Sequence, residues 1–204
     1  VNQAWKSKML FFFFLENYMQ QLRNRILANC VVYDEEIGML LSQKNNDDFI
    51  NGNPKYSINK LLVTLDERLR NRIKIQCMGR EEVGIYKRKL VQYKNYFSSY
   101  CYKGNVVSLY LNFLEMYGAE YYIDMTPVSE KIQHGIFDVY DVAAMLIIYY
   151  RALQKKPDEE FGQIFIDEAQ DFGPIVYYAL RTVLPECFFT IMGDVSQNVN
   201  YEYG

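Results

Sequence analysis

The stretch that decides the reading is Gln163-Ile164-Phe165-Ile166-Asp167-Glu168-Ala169-Gln170-Asp171. Three residues of apolar, β-favouring character, Ile164 to Ile166, run straight into two adjacent carboxylates, which predicts a short buried strand ending in a polar turn. Outward from it, Pro174 opens a candidate helix over 174–183, since Pro is tolerated in a first helical turn. A second apolar run over 187–192 then ends in Gly193-Asp194-Val195-Ser196-Gln197-Asn198. Strand, helix and strand joined by short connections is a βαβ pattern and predicts a parallel pair. Ligands of such sheets bind at the carboxyl ends of the strands. Both acidic turns, Asp167-Glu168 and Gly193-Asp194, fall there.

Two carboxylates delivered into a cleft suit nucleoside triphosphate hydrolysis. One can hold magnesium through its water shell, and the other can polarise the attacking water. The plain alternative is a polar strand end with no chemistry, and for an isolated Asp-Glu pair that alternative is the commoner case. The second turn changes the balance, because a side-chain amide such as Gln197 beside a terminal phosphate can switch hydrogen-bond partners when that phosphate leaves.

Together the two turns resemble motifs II and III of superfamily 1 helicases of the UvrD/Rep type, written DExQD and GDxxQ. The resemblance implies an ATP-hydrolysing motor that couples turnover to movement on DNA, with ATP and Mg2+ as its cofactors. It implies that Asp167 holds the magnesium, Glu168 is the general base, Gln170 links the nucleotide and nucleic-acid sites, and Gln197 contacts the γ-phosphate. Residues 137–146 resemble the helix before motif II in that family. Where the family places an aromatic after GDxxQ this chain has Asn200, with Tyr201 and Tyr203 beside it, so Asn198 and Tyr201 are weaker nucleic-acid candidates.

A looser set of patterns is similar to the HelD branch: Trp5-Lys6-Ser7-Lys8-Met9, the long helix after it, Tyr56-Ser57-Ile58-Asn59-Lys60-Leu61 and the DEAQD form of motif II. That likeness implies a second possibility, a transcription factor that binds and recycles RNA polymerase through an inserted helical domain. The expected organisation is α/β: a helical inserted domain over residues 1–133, then part of a RecA-like ATPase domain over 134–204. A triphosphatase also needs a glycine-rich loop ending in Gly-Lys-Ser or Gly-Lys-Thr. None of the 11 glycines is followed by Lys. The expectation is therefore one part of a larger motor, without ATPase activity by itself.

Charge divides along the same line. Residues 60–94 hold ten basic and four acidic side chains, a local +6, whereas 157–204 hold nine acidic and one basic, a local −8. The total of −3 over 204 residues conceals this split. Half of the residues are hydrophobic, enough to bury a core and to exclude disorder. A single His and four Cys without CxxC spacing argue against a structural zinc or a redox pair, and suggest buried thiols in a cytoplasmic setting. The longest apolar run, 142–150, is too short to span a bilayer, so no membrane role is expected.

Within the first two thirds the periodicity predicts helices over 4–26, 57–78, 81–100 and 105–117, with a short strand at 30–33. Asp34 is expected to cap a brief helix, and 42–56 and 118–135 to be irregular. In 85–103 Lys87, Arg88, Lys89, Lys94 and Lys103 alternate with six aromatic residues. Their spacing favours a buried aromatic stripe with a solvated basic face, and Lys87 and Arg88 are further nucleic-acid candidates. Of Phe11 to Phe14, which point all round a helix, at least one is expected to face another domain. His134 is expected at the surface or a hinge.

Overall fold

The computed structural model describes residues 4–28, 30–80, 84–153 and 161–194. The chain is mixed α/β and mainly helical, with two small sheets. It divides into two compact units that interleave in sequence: one of residues 1–19, 104–150 and 155–204, the other of 20–103 and 151–154. Residues 104–133 thus group with the C-terminal α/β part and not with the basic helices. Among the described residues no helix is long and apolar enough to cross a membrane.

In the first unit a 3-10 turn, Ala4–Ser7, leads into α1, Met9–Leu27, whose later residues belong to the other unit. The break at Lys8 replaces the single helix expected over 4–26. Three helices follow: α5, Val106–Tyr121; α6, Thr126–Gln133; and α7, Val139–Ile148, which runs on into a π-type turn, Tyr149–Leu153. The helix α6 lies where an irregular segment was expected; Pro in its first turn and Asp124, which accepts from Thr126 N at 3.0 Å, start it.

Aromatic packing forms much of this core. Trp5 stacks on Tyr117 at 5.2 Å between centroids, and Phe11 meets Trp5, Phe113 and Tyr117 edge-on. Such offset and edge geometries add to what burial alone contributes. Phe12 is buried against Tyr178, while Phe13 is 59% exposed.

The C-terminal segment of this unit holds β3, Gln163–Ile166; α8, Pro174–Val183; and β4, Phe188–Ile191. The strands pair in parallel, with Gln163 opposite Phe188 and Ile166 opposite Ile191. The helix α8 packs on α7, with Ile175 and Ala179 buried on one side and Ala144 and Ile148 on the other. The expectation of buried strands is corrected: Phe165 is 66% and Phe188 76% exposed. Parallel sheets normally bury both faces. Here β3 pairs only with β4 among the described residues.

The second unit opens with an antiparallel hairpin, β1, Val32–Asp34, and β2, Gly38–Leu41. Asp34 does not cap a helix as expected. Its carboxylate accepts from Glu36 N and Ile37 N inside the tight turn, and Gly38, at φ 85°, supplies the left-handed residue that completes it. Residues 42–56, expected as loop, contain α2, Gln43–Gly52, whose side chains Asn46 and Ile50 are buried. Asn46 donates to Cys30 O, so packing overrides the low helix propensity of this Asn- and Asp-rich stretch.

The amphipathic reading holds for α3, Ile58–Cys77. Ser57 caps it by accepting from Lys60 N, and Leu61, Leu62, Leu65, Leu69 and Ile73 are buried. The helix expected over 81–100 is only α4, Ile85–Gln92, followed by turns and a short 3-10 segment. The chain turns at Asn95, φ 53°, and Asp66 on α3 holds the segment that follows. Its two oxygens accept from Phe97 N at 2.8 Å and from Ser98 N at 3.0 Å, which gives those amides a partner other than the helix. The aromatic stripe is likewise corrected: Phe97 is buried, but Tyr86, Tyr96 and Tyr100 are exposed.

A buried charge cluster ties the hairpin to α4. The Lys89 ammonium lies 2.8 Å from Asp34 and also pairs with Glu36, while Tyr93 donates to Asp34 at 2.7 Å. Burial by itself would raise the Asp34 carboxyl, but the Lys89 and Tyr93 hydrogen bonds outweigh it and hold the group at about 2.

Candidate nucleotide site

The parallel register brings Ile166 and Ile191 side by side, so the chain leaves both strands at the same sheet edge. Two backbone bonds extend the pairing past the strands: Met192 N donates to Ile166 O at 2.8 Å and Ala169 N to Met192 O at 2.9 Å. Between them Asp167 and Glu168 turn out of the sheet. Glu168 adopts a left-handed conformation, φ 50° and ψ 42°. For a residue with a Cβ that conformation costs about 1–2 kcal/mol, and such costs gather at functional turns. A 3-10 turn, Ala169–Asp171, follows and is closed by Asp171 N donating to Glu168 O.

Gln170 joins the two turns. Its Nε2 donates to Glu168 Oε2 at 2.5 Å, and its Oε1 accepts from Asp194 N at 2.9 Å. One amide thus aims the carboxylate of the first turn and fixes the backbone of the second. Gly193 is required by this approach: a Cβ there would lie 2.6 Å from Gln170 Oε1 and 3.1 Å from Ala169 N. Tyr177, on α8, donates to Ala169 O and anchors the turn from below. Burial and the nearby Asp171 carboxylate raise the Tyr177 phenol.

Behind the turn, Gly173 sits at the N-cap of α8 with Ser7 pressed against it; a Cβ at Gly173 would meet Ser7 O at 2.5 Å and Ser7 Cα at 2.8 Å. Lys6, 0% exposed, sits beside that contact in the chain. Its ammonium lies 2.9 Å from Asp138 Oδ2 and 2.5 Å from Asp141 Oδ1. Those two carboxylates form the capping box that starts α7, and Tyr110 also donates to Asp141. Burial, followed by the Asp141 charge, pushes the Tyr110 phenol well above its ordinary value.

Asp167 and Glu168 are both exposed, so their carboxylates face water. No group of three or more acidic, Cys or His side chains converges on a metal position among the described residues. A lone exposed carboxylate is nonetheless the donor that a magnesium ion holding most of its own waters takes from a protein. Asp167 fits that role.

The sequence-derived candidates therefore fall into three groups. Asp167, Glu168 and Gln170 are brought together, with the Asp194 amide beside them. Gln197, Asn198 and Tyr201 lie outside the described residues. Lys87 and Arg88 belong to the other unit, on α4; Lys87 is exposed, and Arg88 pairs with Glu36 at 3.0 Å. His134 is an exposed C-cap residue of α6, with Nδ1 2.7 Å from Glu130 O. Gly193 was read only as part of the GD turn and Lys6 only as part of the stretch from Trp5 to Met9, and neither was given its role here. An Asp pair at N-cap and N3 was the available hint for Lys6, since a buried capping box invites a cation.

No family model, curated protein or solved structure matches this chain.

Proposed function

We propose that this chain supplies the motif II and motif III side of the nucleotide site in an ATP-dependent, helicase-like motor of the UvrD/Rep type. The observation that carries the reading is the Gln170 bridge, which makes one assembly of the DEAQD turn and the GD turn at the carboxyl edge of a parallel strand pair. An incidental Asp-Glu pair needs no such bridge. In this reading Asp167 would hold magnesium through water, where the ion would supply positive charge beside the phosphates. Glu168 takes the proton of the attacking water, held by Gln170 in the orientation that water requires. Asp194 N, fixed through the same amide, transmits any shift of the second turn to the first.

The phosphate-gripping loop comes, in this reading, from elsewhere in the polypeptide, as no Gly-Lys pair occurs in these 204 residues. The exposed rows of β3 and β4 agree with a sheet that continues there. The test is ATP turnover by the full-length parent with and without single-stranded DNA. Magnesium-dependent turnover that DNA accelerates is expected. A parent that neither binds nor hydrolyses ATP would overturn the proposal.

A further inference from the structure

In the first unit a groove of about 580 Å3 lies between α5 and α6. We infer that this groove is a docking site for a basic amphipathic helix of a partner protein: the helix sets its apolar stripe on the apolar side chains of the lining and its Lys or Arg side chains against the carboxylates. The inference goes beyond the ATPase reading, which it neither needs nor supports.

The turn between the two helices shapes the groove. Tyr122, at φ 54°, ends α5, and Ile123 N donates back to Gly118 O at 2.9 Å. Gly118 permits that approach: a Cβ there would lie 2.6 Å from Met125 Cγ and 2.7 Å from Ile123 O. The apolar part of the lining is Leu111, Ala119, Ile123 and Met125. Leu111, Glu115 and Ala119 follow one another four residues apart on one face of α5, a ridge of about 12 Å at about 1.5 Å per residue. Thr126, Glu130 and Gln133 form the matching ridge of α6, about 10 Å long. Two walls of about two turns each suit a helical segment of that length, which presents its anchors at the same spacing of three and four.

Charge decides the occupant. The lining holds three carboxylates, Glu115 on α5, Asp124 in the turn and Glu130 on α6, and no cation. All three are exposed, and none is in an ion pair among the described residues. Lys131 is exposed on α6 but lies outside the lining. Residues 104–133 carry four acidic side chains and one basic, a local −3. Such a surface repels nucleic acid and acidic segments and draws basic ones. A bound metal ion does not fit, because among the described residues no three acidic, Cys or His side chains converge on one position. Carboxylates spread over two helices and a turn match charges spread along a segment. The volume lies within the range of about 300–1,000 Å3 common to ligand sites. Apolar side chains beside the carboxylates favour Leu-like residues next to Lys or Arg over a small polycation held by charge alone.

The experiment is fluorescence anisotropy of the 204-residue chain with a fluorescein-labelled peptide of about two heptads, Leu on one helical face and Lys on the other. Saturable binding that weakens as salt rises is expected. Glu115→Gln with Glu130→Gln is expected to weaken it about 2- to 30-fold at low salt, the range for two exposed charge pairs. Ala119→Arg, at an exposed helical position of the lining, puts a cation four residues from Glu115 and is expected to weaken binding about tenfold or more. A peptide of the same composition with Leu and Lys alternating has no apolar helical face and is expected to bind about tenfold more weakly. Glu186→Gln, an exposed carboxylate of the acidic C-terminal segment, should change nothing. The proposal is overturned by a wild type that does not bind the helical peptide, by wild-type affinity in either groove variant, by equal binding of the alternating peptide, or by an equal effect of Glu186→Gln. Spermidine that displaces the peptide at equal concentration of charge would also overturn it, since that result marks a small polycation as the ligand.

Discussion

Replacing Glu168 with Gln in the full-length parent is expected to lower ATP turnover by about 10²–10⁴-fold, with little change in the KM for ATP. Gln keeps the shape of Glu and still offers an oxygen to Gln170 Nε2, so the turn and its 2.5 Å contact have no reason to rearrange. What is lost is a group able to accept a proton. In barrier terms the change amounts to about 2.7–5.5 kcal/mol, more than any hydrogen bond of the turn would contribute. A substitution that mainly removed ground-state binding would raise KM and leave kcat alone. Steady-state kinetics on parent and variant separate the two. Turnover equal to that of the wild type would show that the carboxylate is a strand end without chemistry.

Lys6→Ala is expected to destabilise the chain by about 3–5 kcal/mol, the usual loss when one partner of a buried ion pair is removed. Lys6 is fully buried, and its ammonium is the cation facing Asp138 and Asp141. Its removal leaves two carboxylates and the Tyr110 hydroxyl at the start of α7. It also loosens the 3-10 turn that presses Ser7 onto Gly173. Urea denaturation followed by far-ultraviolet circular dichroism measures the change. Adding Asp141→Asn to Lys6→Ala should recover part of the loss, because it removes the uncompensated charge. A loss under about 1 kcal/mol for Lys6→Ala, the range of an exposed pair, would contradict the account.

The sequence was most legible where one physical signal dominated. The βαβ order, the Pro start of α8, the Ser57 cap and the leucine face of α3 all follow from patterns that tertiary contacts do not reverse. It was least legible where a side chain distant in sequence took over the backbone. Asp66 holds the chain beyond α4 in turns by taking the amides of Phe97 and Ser98, and spacing in 81–100 contains no trace of that. Asp34 looked the same as a helix cap and as the bracket of a tight turn, because an Asp accepts from amides two and three residues ahead in both. Asn46 shows the converse, a residue that reads as loop until its amide finds the Cys30 carbonyl in a buried place.

At the candidate site, composition and spacing located Asp167, Glu168 and Gln170 but not their arrangement. That Gln170 faces Glu168 on one side and Asp194 N on the other depends on the in-register pairing of β3 with β4, and on Gly193 having no side chain. A strand slipped by one residue would have carried the same motifs with the amide aimed elsewhere.

That arrangement is the central claim, and a double-mutant cycle on ATP turnover by the parent tests it most directly: Glu168→Gln, Gln170→Ala, and both together. If Gln170 acts by aiming the Glu168 carboxylate, the Gln170→Ala loss disappears once that carboxylate is gone, and the double variant turns over about as slowly as Glu168→Gln alone. Two losses that multiply in full would mean that Gln170 and Glu168 work independently, and would contradict a site built around their contact.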